Sequence, residues 1–175
     1  MGLDMYLTKK ASVDLAKDAD CNEVIVFSNG EIEKHVPEDE DKTHNVELYG
    51  AYWRQANWVH HWFVENVQGG NDNCQPYEVE EKQVVELLEI VNKLLDTYYF
   101  DEKKAERLAK RLLPPVACGA IFNHMQMDGI YWSILFETQR ELNRILEDKA
   151  AAIEIIDGKS HEIPLNYTYT YFAWW

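Results

Sequence analysis

Tyr167-Thr168-Tyr169-Thr170-Tyr171-Phe172 alternates with a period of two. That spacing puts Tyr167, Tyr169 and Tyr171 on one face of an extended segment and Thr168, Thr170 and Phe172 on the other. Aromatic and β-branched residues in this pattern predict a strand with one buried face. Leu3 to Lys9, at the other end of the chain, alternates more weakly through Met5, Tyr6 and Leu7 and predicts a second strand. Glu23 to Phe27 predicts a third, with Ser28-Asn29-Gly30 as a turn and Ile32 to Val36 returning as its hairpin partner. Pro37 to Lys42 has loop composition before a short strand around Val46 to Tyr49. Val116 to Phe122 reads as a strand passing through Gly119. Ile153 to Ile156 is a closing strand, with Asp157-Gly158 as the turn between it and the tyrosine segment.

Between these strands the apolar spacing changes to that of helices. Glu80 to Asp96 carries Val84, Leu87, Leu88, Val91, Leu94 and Leu95 on one stripe, with Glu89 and Lys93 paired one turn apart outside it. Asp101 caps a further helix through Ala105, Leu108 and Leu112, which Pro114-Pro115 stops. Asp128 caps a long helix to about Glu147, striped by Tyr131, Ile134, Leu135, Thr138, Leu142 and Ile145. Tyr52 to about Val67 also shows helical recurrence, ended by Gly69-Gly70 and followed by the polar loop Asn71-Asp72-Asn73. Strands near both ends with helices between them predict an α+β single domain over residues 1–175. Its expected architecture is an antiparallel or mixed sheet covered by about four helices.

The chain has 175 residues, enough to bury about 70% of its unfolded surface in one core. Seventeen Lys and Arg against 31 Asp and Glu give a net charge of -14, which repels a phosphate backbone and disfavours direct nucleic-acid binding. The same field attracts a basic partner. Three cysteines, Cys21, Cys74 and Cys118, are odd in number and lack CxxC spacing, so neither a disulfide scaffold nor a zinc ribbon is expected. The absence of a basic leader and of a long apolar run predicts a cytoplasmic protein with no membrane association. The chain has six Trp, ten Tyr and six Phe, several of them clustered at 52–63, 131–136 and 167–175, as either core packing or surfaces for homo-oligomers.

Placed on a helical wheel at about 100° per residue, Tyr52, Ala56, Val59, Phe63 and Val67 form the inward face, and His60 falls inside that arc. His61 points with Arg54 and Glu65 toward water. Asn57 sits at the edge of the buried arc. A buried His or Asn needs partners, because an unpaired buried polar group costs about 1 to 3 kcal/mol. His60 is therefore expected either to bracket the structure or to contact a ligand. An aromatic, a guanidinium and an amide are what a small polar-ligand pocket uses, so the candidate ligand-binding set is Trp53, Arg54, Asn57, His60 and Asp72. No metal site is expected: His60 and His61 diverge by about 100° on a helix, and the other histidines carry no ligand spacing. A metal site assembled from distant residues such as His60, Asp72 and Cys74 is not demanded by anything in the sequence. No nucleophile elbow, phosphate loop, dinucleotide fingerprint or HExxH motif is present, so no catalytic residue and no cofactor are assigned.

Met1-Gly2-Leu3-Asp4-Met5-Tyr6-Leu7, the run Tyr52-Trp53-Arg54-Gln55-Ala56-Asn57 with His60 and Trp62-Phe63-Val64, and Asp72 with Cys74 resemble small uncharacterised proteins encoded by bacteriophages and prophages. Leu112-Leu113-Pro114 and the aromatic C-terminus are similar too. The resemblance implies a phage accessory context and no reaction. The leading expectation is a non-enzymatic accessory protein that binds a host or phage protein or a defence component, or that sequesters a small polar ligand. The alternatives are a hydrolase-like enzyme for a nucleotide-like or other small polar substrate, using Arg54, Asn57 and His60 with Asp72, and a structural or oligomer-forming protein.

Overall fold

The computed structural model describes residues 3–14, 21–28, 31–35, 43–116 and 126–174. Within them the chain forms nine strands and four helices. In chain order these are β1 (Asp4–Asp14), β2 (Cys21–Ser28), β3 (Glu31–His35), β4 (Thr43–Glu47), β5 (Ala51–Arg54), α1 (Asn57–Asn66), β6 (Tyr77–Val79), α2 (Glu81–Phe100), α3 (Glu102–Leu112), α4 (Gly129–Glu147), β7 (Ala151–Ile156), β8 (Lys159–Ile163) and β9 (Asn166–Trp174).

The fold is α+β, and its strands divide into two antiparallel sheets. In the larger sheet β1 and β9 pair from Asp4 opposite Trp174 to Ser12 opposite Asn166. The free side of β1 takes β5 along its first half and β4 along its second, and β6 adds to β9. The smaller sheet runs β3-β2-β7-β8.

Alternation decides which face of β1 is covered. Leu3, Met5, Leu7, Lys9, Ala11 and Val13 are all buried, whereas Tyr6, Thr8 and Lys10 face out. The first three of these inward residues meet the helices, and Ala11 and Val13 meet Val24, Val26, Val46, Leu48 and Ala152 in a second core beneath the smaller sheet. Tyr169, Tyr171 and Ala173 continue the inward face on β9. The stripes of α2 and α4 close the main core, with Val84, Leu87, Val91, Leu94, Leu135, Leu142 and Ile145 all fully buried. Each such side chain contributes about 1.5 to 3 kcal/mol of transfer free energy.

Helix boundaries follow local chemistry. Asp101 accepts from the Lys104 amide at 3.0 Å and Asp128 from the Ile130 amide at 2.9 Å, so both expected caps form. Each satisfies a backbone donor for about 1 kcal/mol. At α2 the Glu80 amide donates to the Gln83 side chain at 2.9 Å in a reciprocal capping box.

Three expectations change. Tyr52 to Arg54 is not the start of a helix: these residues pair with β1, and Gln55 at φ 59° turns the chain into α1 at Asn57. Asp157-Gly158, both at positive φ, turns β7 into β8 rather than into the tyrosine strand. The helix that opens near Glu80 runs on past Asp96 to Phe100. The predicted strand at 116–122 falls almost entirely outside the described residues, as do the turn at Asn29-Gly30, the loop at 37–42, Cys118 and His124. No helix among the described residues is long and apolar enough to cross a membrane.

Candidate functional site

The switch from β5 to α1 sorts the candidate residues. As a strand, β5 alternates: Ala51 and Trp53 point into the core, Tyr52 and Arg54 point out. Arg54 accordingly lies on the outer face of the larger sheet, its Nε 3.8 Å from Asp4 Oδ1 and its side chain 66% exposed. The Tyr52 hydroxyl donates to the same Asp4 oxygen at 2.5 Å, and this bond raises the Tyr52 pKa above its ordinary value. Asp4, an acid within an apolar strand, is thus explained by an outward position between two donors.

Trp53, Asn57 and His60 are buried on the other side. The Trp53 ring lies 6.4 Å from Phe63, and its indole N–H finds no partner among the described residues. His60 Nδ1 lies 2.7 Å from the Tyr171 hydroxyl and Nε2 lies 2.9 Å from Asp72 Oδ1. An ionised carboxylate can only accept, so Nε2 carries the ring proton and Nδ1 accepts from Tyr171. The order of donation is Tyr171 to His60 to Asp72. Burial lowers the His60 pKa, opposed by the hydrogen bond and the negative charge of Asp72, while His61 pushes it further down. The ring is held neutral, as this tautomer requires.

The chain of three joins different parts of the fold. Tyr171 comes from β9 and stacks on Phe63 of α1 with centroids 3.9 Å apart and planes 8° apart. Asp72 comes from the loop after Gly69 and Gly70, whose positive φ values fold it back over the helix end. His60 and Tyr171 are fully buried, and of the three only the Asp72 side chain reaches solvent, at 36% exposure. Donation therefore runs outward, from the sealed phenol toward the surface carboxylate, and the phenol has no exposed atom to offer a substrate. The arrangement clamps strand, helix and loop together.

Of the five candidates the structure therefore brings together His60 and Asp72, keeps Trp53 and Asn57 in the packing nearby, and separates Arg54 on the opposite sheet face. Cys74 is half-buried and free. No group of three or more His, Cys, Asp or Glu among the described residues is arranged to hold a metal ion. A groove of about 520 Å³ lies elsewhere, lined by Leu95, Asp96, Tyr98, Tyr99, Glu102, Phe136 and Gln139.

A second buried polar cluster escaped the sequence reading. Lys9 is 1% exposed, and its Nζ donates to the carbonyls of Ile145 at 2.9 Å and Asp148 at 2.5 Å, at the end of α4. The ammonium also sits 4.7 Å from the Tyr167 ring centroid. Burial lowers its pKa, with Glu81 and Asp148 pulling the other way. Beside it the Tyr49 amide donates to Asp148 Oδ2 at 2.6 Å, the Tyr49 hydroxyl donates to Glu141, and Arg144 lies over the Tyr49 ring. A cation at a helix C-terminus satisfies the last carbonyls and the dipole together. The signal was present in the period of two, which puts Lys9 in line with Leu3, Met5 and Leu7. No protein-family model, curated protein or solved structure matches this chain.

Proposed function

We propose that this chain is a non-enzymatic binding protein of phage-accessory type that engages a macromolecular partner through the outer face of its larger sheet. The observation that carries this reading is a row of aromatic residues across three neighbouring strands. Tyr6 stands opposite both Tyr52 and Phe172, and Trp174 follows one step along β9 on the same face. Tyr6, Tyr52 and Trp174 are 41%, 48% and 60% exposed. Aromatic side chains displayed together, with a charged pair such as Asp4 and Arg54 among them, have the composition of an interaction surface. The phage context rests on the sequence resemblance, and a net charge of -14 favours a partner with a basic surface over nucleic acid. Sequestration of a small polar ligand draws no support from the geometry, because Arg54 and His60 lie on opposite sides of the sheet.

Affinity capture from host-cell extract tests the reading with wild type and a Tyr6→Ser/Tyr52→Ser/Trp174→Ser variant. A partner held by wild type and lost by the variant, at an unchanged melting temperature, supports it. Retention by the variant removes the sheet face from the binding surface.

The hydrolase-like reading keeps one specific observation, the hydrogen-bonded series Asp72, His60 and Tyr171. A screen of nucleotides and simple esters addresses it. Turnover by wild type that disappears in a folded Tyr171→Phe variant would favour an enzyme over a binding protein.

A further inference from the structure

The groove in the helical layer belongs to neither the His60 cluster nor the outer sheet face. Its floor is Leu95, and Tyr98, stacked on Trp132 with centroids 4.2 Å apart, makes a fixed wall. Phe136 of α4, 51% exposed, and Tyr99 of α2, 82% exposed, stand at its lips. Asp96 and Glu102 supply two carboxylates, and neither has an ion-pair partner among the described residues. The groove also lies at the C-terminal end of α2, which has no basic residue in its last turn. Asp101 joins that end directly to the start of α3, with Glu102 in its first turn, so the two helix dipoles offset one another there and the groove's negative charge comes from the carboxylates themselves.

We propose that this groove is a docking site for a basic segment of a partner protein, which inserts an arginine or lysine side chain between Tyr98, Tyr99 and Phe136 and pairs its charge with Asp96 and Glu102. Three features select that occupant. Ring faces and carboxylates both attract a cation, and a guanidinium satisfies both at once by stacking and by paired hydrogen bonds. A groove whose aromatic lips stand in solvent cannot enclose a small molecule but can receive a side chain presented from a larger surface. A net charge of -14 draws a basic partner toward the molecule before contact.

The test uses the full chain and a fluorescein-labelled peptide of alternating Arg and Ala, with a citrulline-for-arginine analogue as neutral control, titrated by fluorescence anisotropy at low salt. Saturable binding of the arginine peptide alone is expected. Asp96→Asn/Glu102→Gln should weaken it about fivefold, the loss of two solvent-exposed ion pairs, and Phe136→Ala should weaken it by a similar factor at an unchanged melting temperature. Glu65→Gln/Glu86→Gln removes two exposed charges outside the groove and should change affinity less than about twofold. No saturable binding, equal weakening by both double variants, or indifference to Asp96 and Glu102 would each overturn the proposal. Loss of the peptide from the Tyr6→Ser/Tyr52→Ser/Trp174→Ser variant would overturn it as well, by moving the site to the sheet. Failure of that sheet variant to lose its captured partner bears on the sheet reading alone.

Discussion

Truncating His60 to alanine should show whether the clamp is structural. The imidazole makes two hydrogen bonds, to the Tyr171 hydroxyl at 2.7 Å and to Asp72 at 2.9 Å, from a position with no solvent exposure. Each bond contributes about 1 kcal/mol net, and a buried hydroxyl deprived of its acceptor costs about 1 to 3 kcal/mol more. Together these put the expected loss at about 3 to 5 kcal/mol, before any cavity cost from the vacated ring volume. For a chain of this size that lowers the melting temperature by roughly 10 °C. Asp72→Asn, at a partly exposed position, should cost only about 0.5 to 1 kcal/mol after solvent screening. Thermal denaturation followed by circular dichroism, with urea titration for the free energies, reads all three proteins. A His60→Ala protein melting within about 3 °C of wild type would refute the clamp and return His60 to the ligand-contact reading. The pH dependence gives a second check. Because the folded His60 pKa lies below its usual 6.5, the unfolded chain binds more protons there. The contribution is complete above pH 6.5 and declines as pH falls below it. Wild type should therefore lose more stability than His60→Gln between pH 7 and pH 5.

Other perturbations follow the same accounting. Arg54→Ala, at an exposed 3.8 Å contact, should change stability by no more than about 0.5 kcal/mol in a urea titration. Lys9→Met keeps the side-chain volume but removes two donors from the α4 carbonyls, and should destabilise by about 2 to 4 kcal/mol, read by the same titration. Gly158→Ala meets no atom within 4 Å, so its cost is conformational, about 1 to 2 kcal/mol from the φ of +74° at the β7–β8 turn. Calorimetry of that variant should show the loss without a change in the sheet's circular dichroism. Tyr131→Phe removes the hydroxyl that donates to the Leu113 carbonyl at 2.8 Å and should cost about 1 kcal/mol in thermal melts.

What could be read in advance differs by element, for physical reasons. α2, α3 and α4 combine an apolar stripe with a capping side chain, and both signals are local, so the helices are visible in the linear sequence. β8 is visible only in space: Lys159, Ser160, His161 and Glu162 are all exposed, and without a buried face there is no alternation to detect. Residues 52–54 were misread because Tyr52, Ala56, Val59 and Phe63 happen to recur at helical spacing, while the turn into α1 rests on Gln55 at positive φ, a residue with no turn signature. The error carried into the site, since on a helix Arg54 lies one turn from Asn57, whereas on β5 it crosses to the other face. That His60 is buried and needs hydrogen-bond partners was legible from its apolar neighbours. Its partner Tyr171, 111 positions away, was not, because the alternation of β9 identifies a buried face without saying what that face meets.

The long pairing of β1 with β9 bears on how the molecule is made. Thr8 and Thr170 are hydrogen-bonded across 162 positions of chain. During vectorial synthesis β1 emerges before β9 and must wait for all the chain between them before this partner exists. Until then Met5 and Leu7 on β1, Leu3 just before it, and the stripes of α2 and α4 have no completed sheet to close on. High contact order of this kind makes the search slow and leaves a sticky, half-built nascent chain. The waiting strand therefore gives the cell's folding helpers their longest opportunity to bind, and shortening the chain before β9 should yield insoluble product instead of a smaller stable domain.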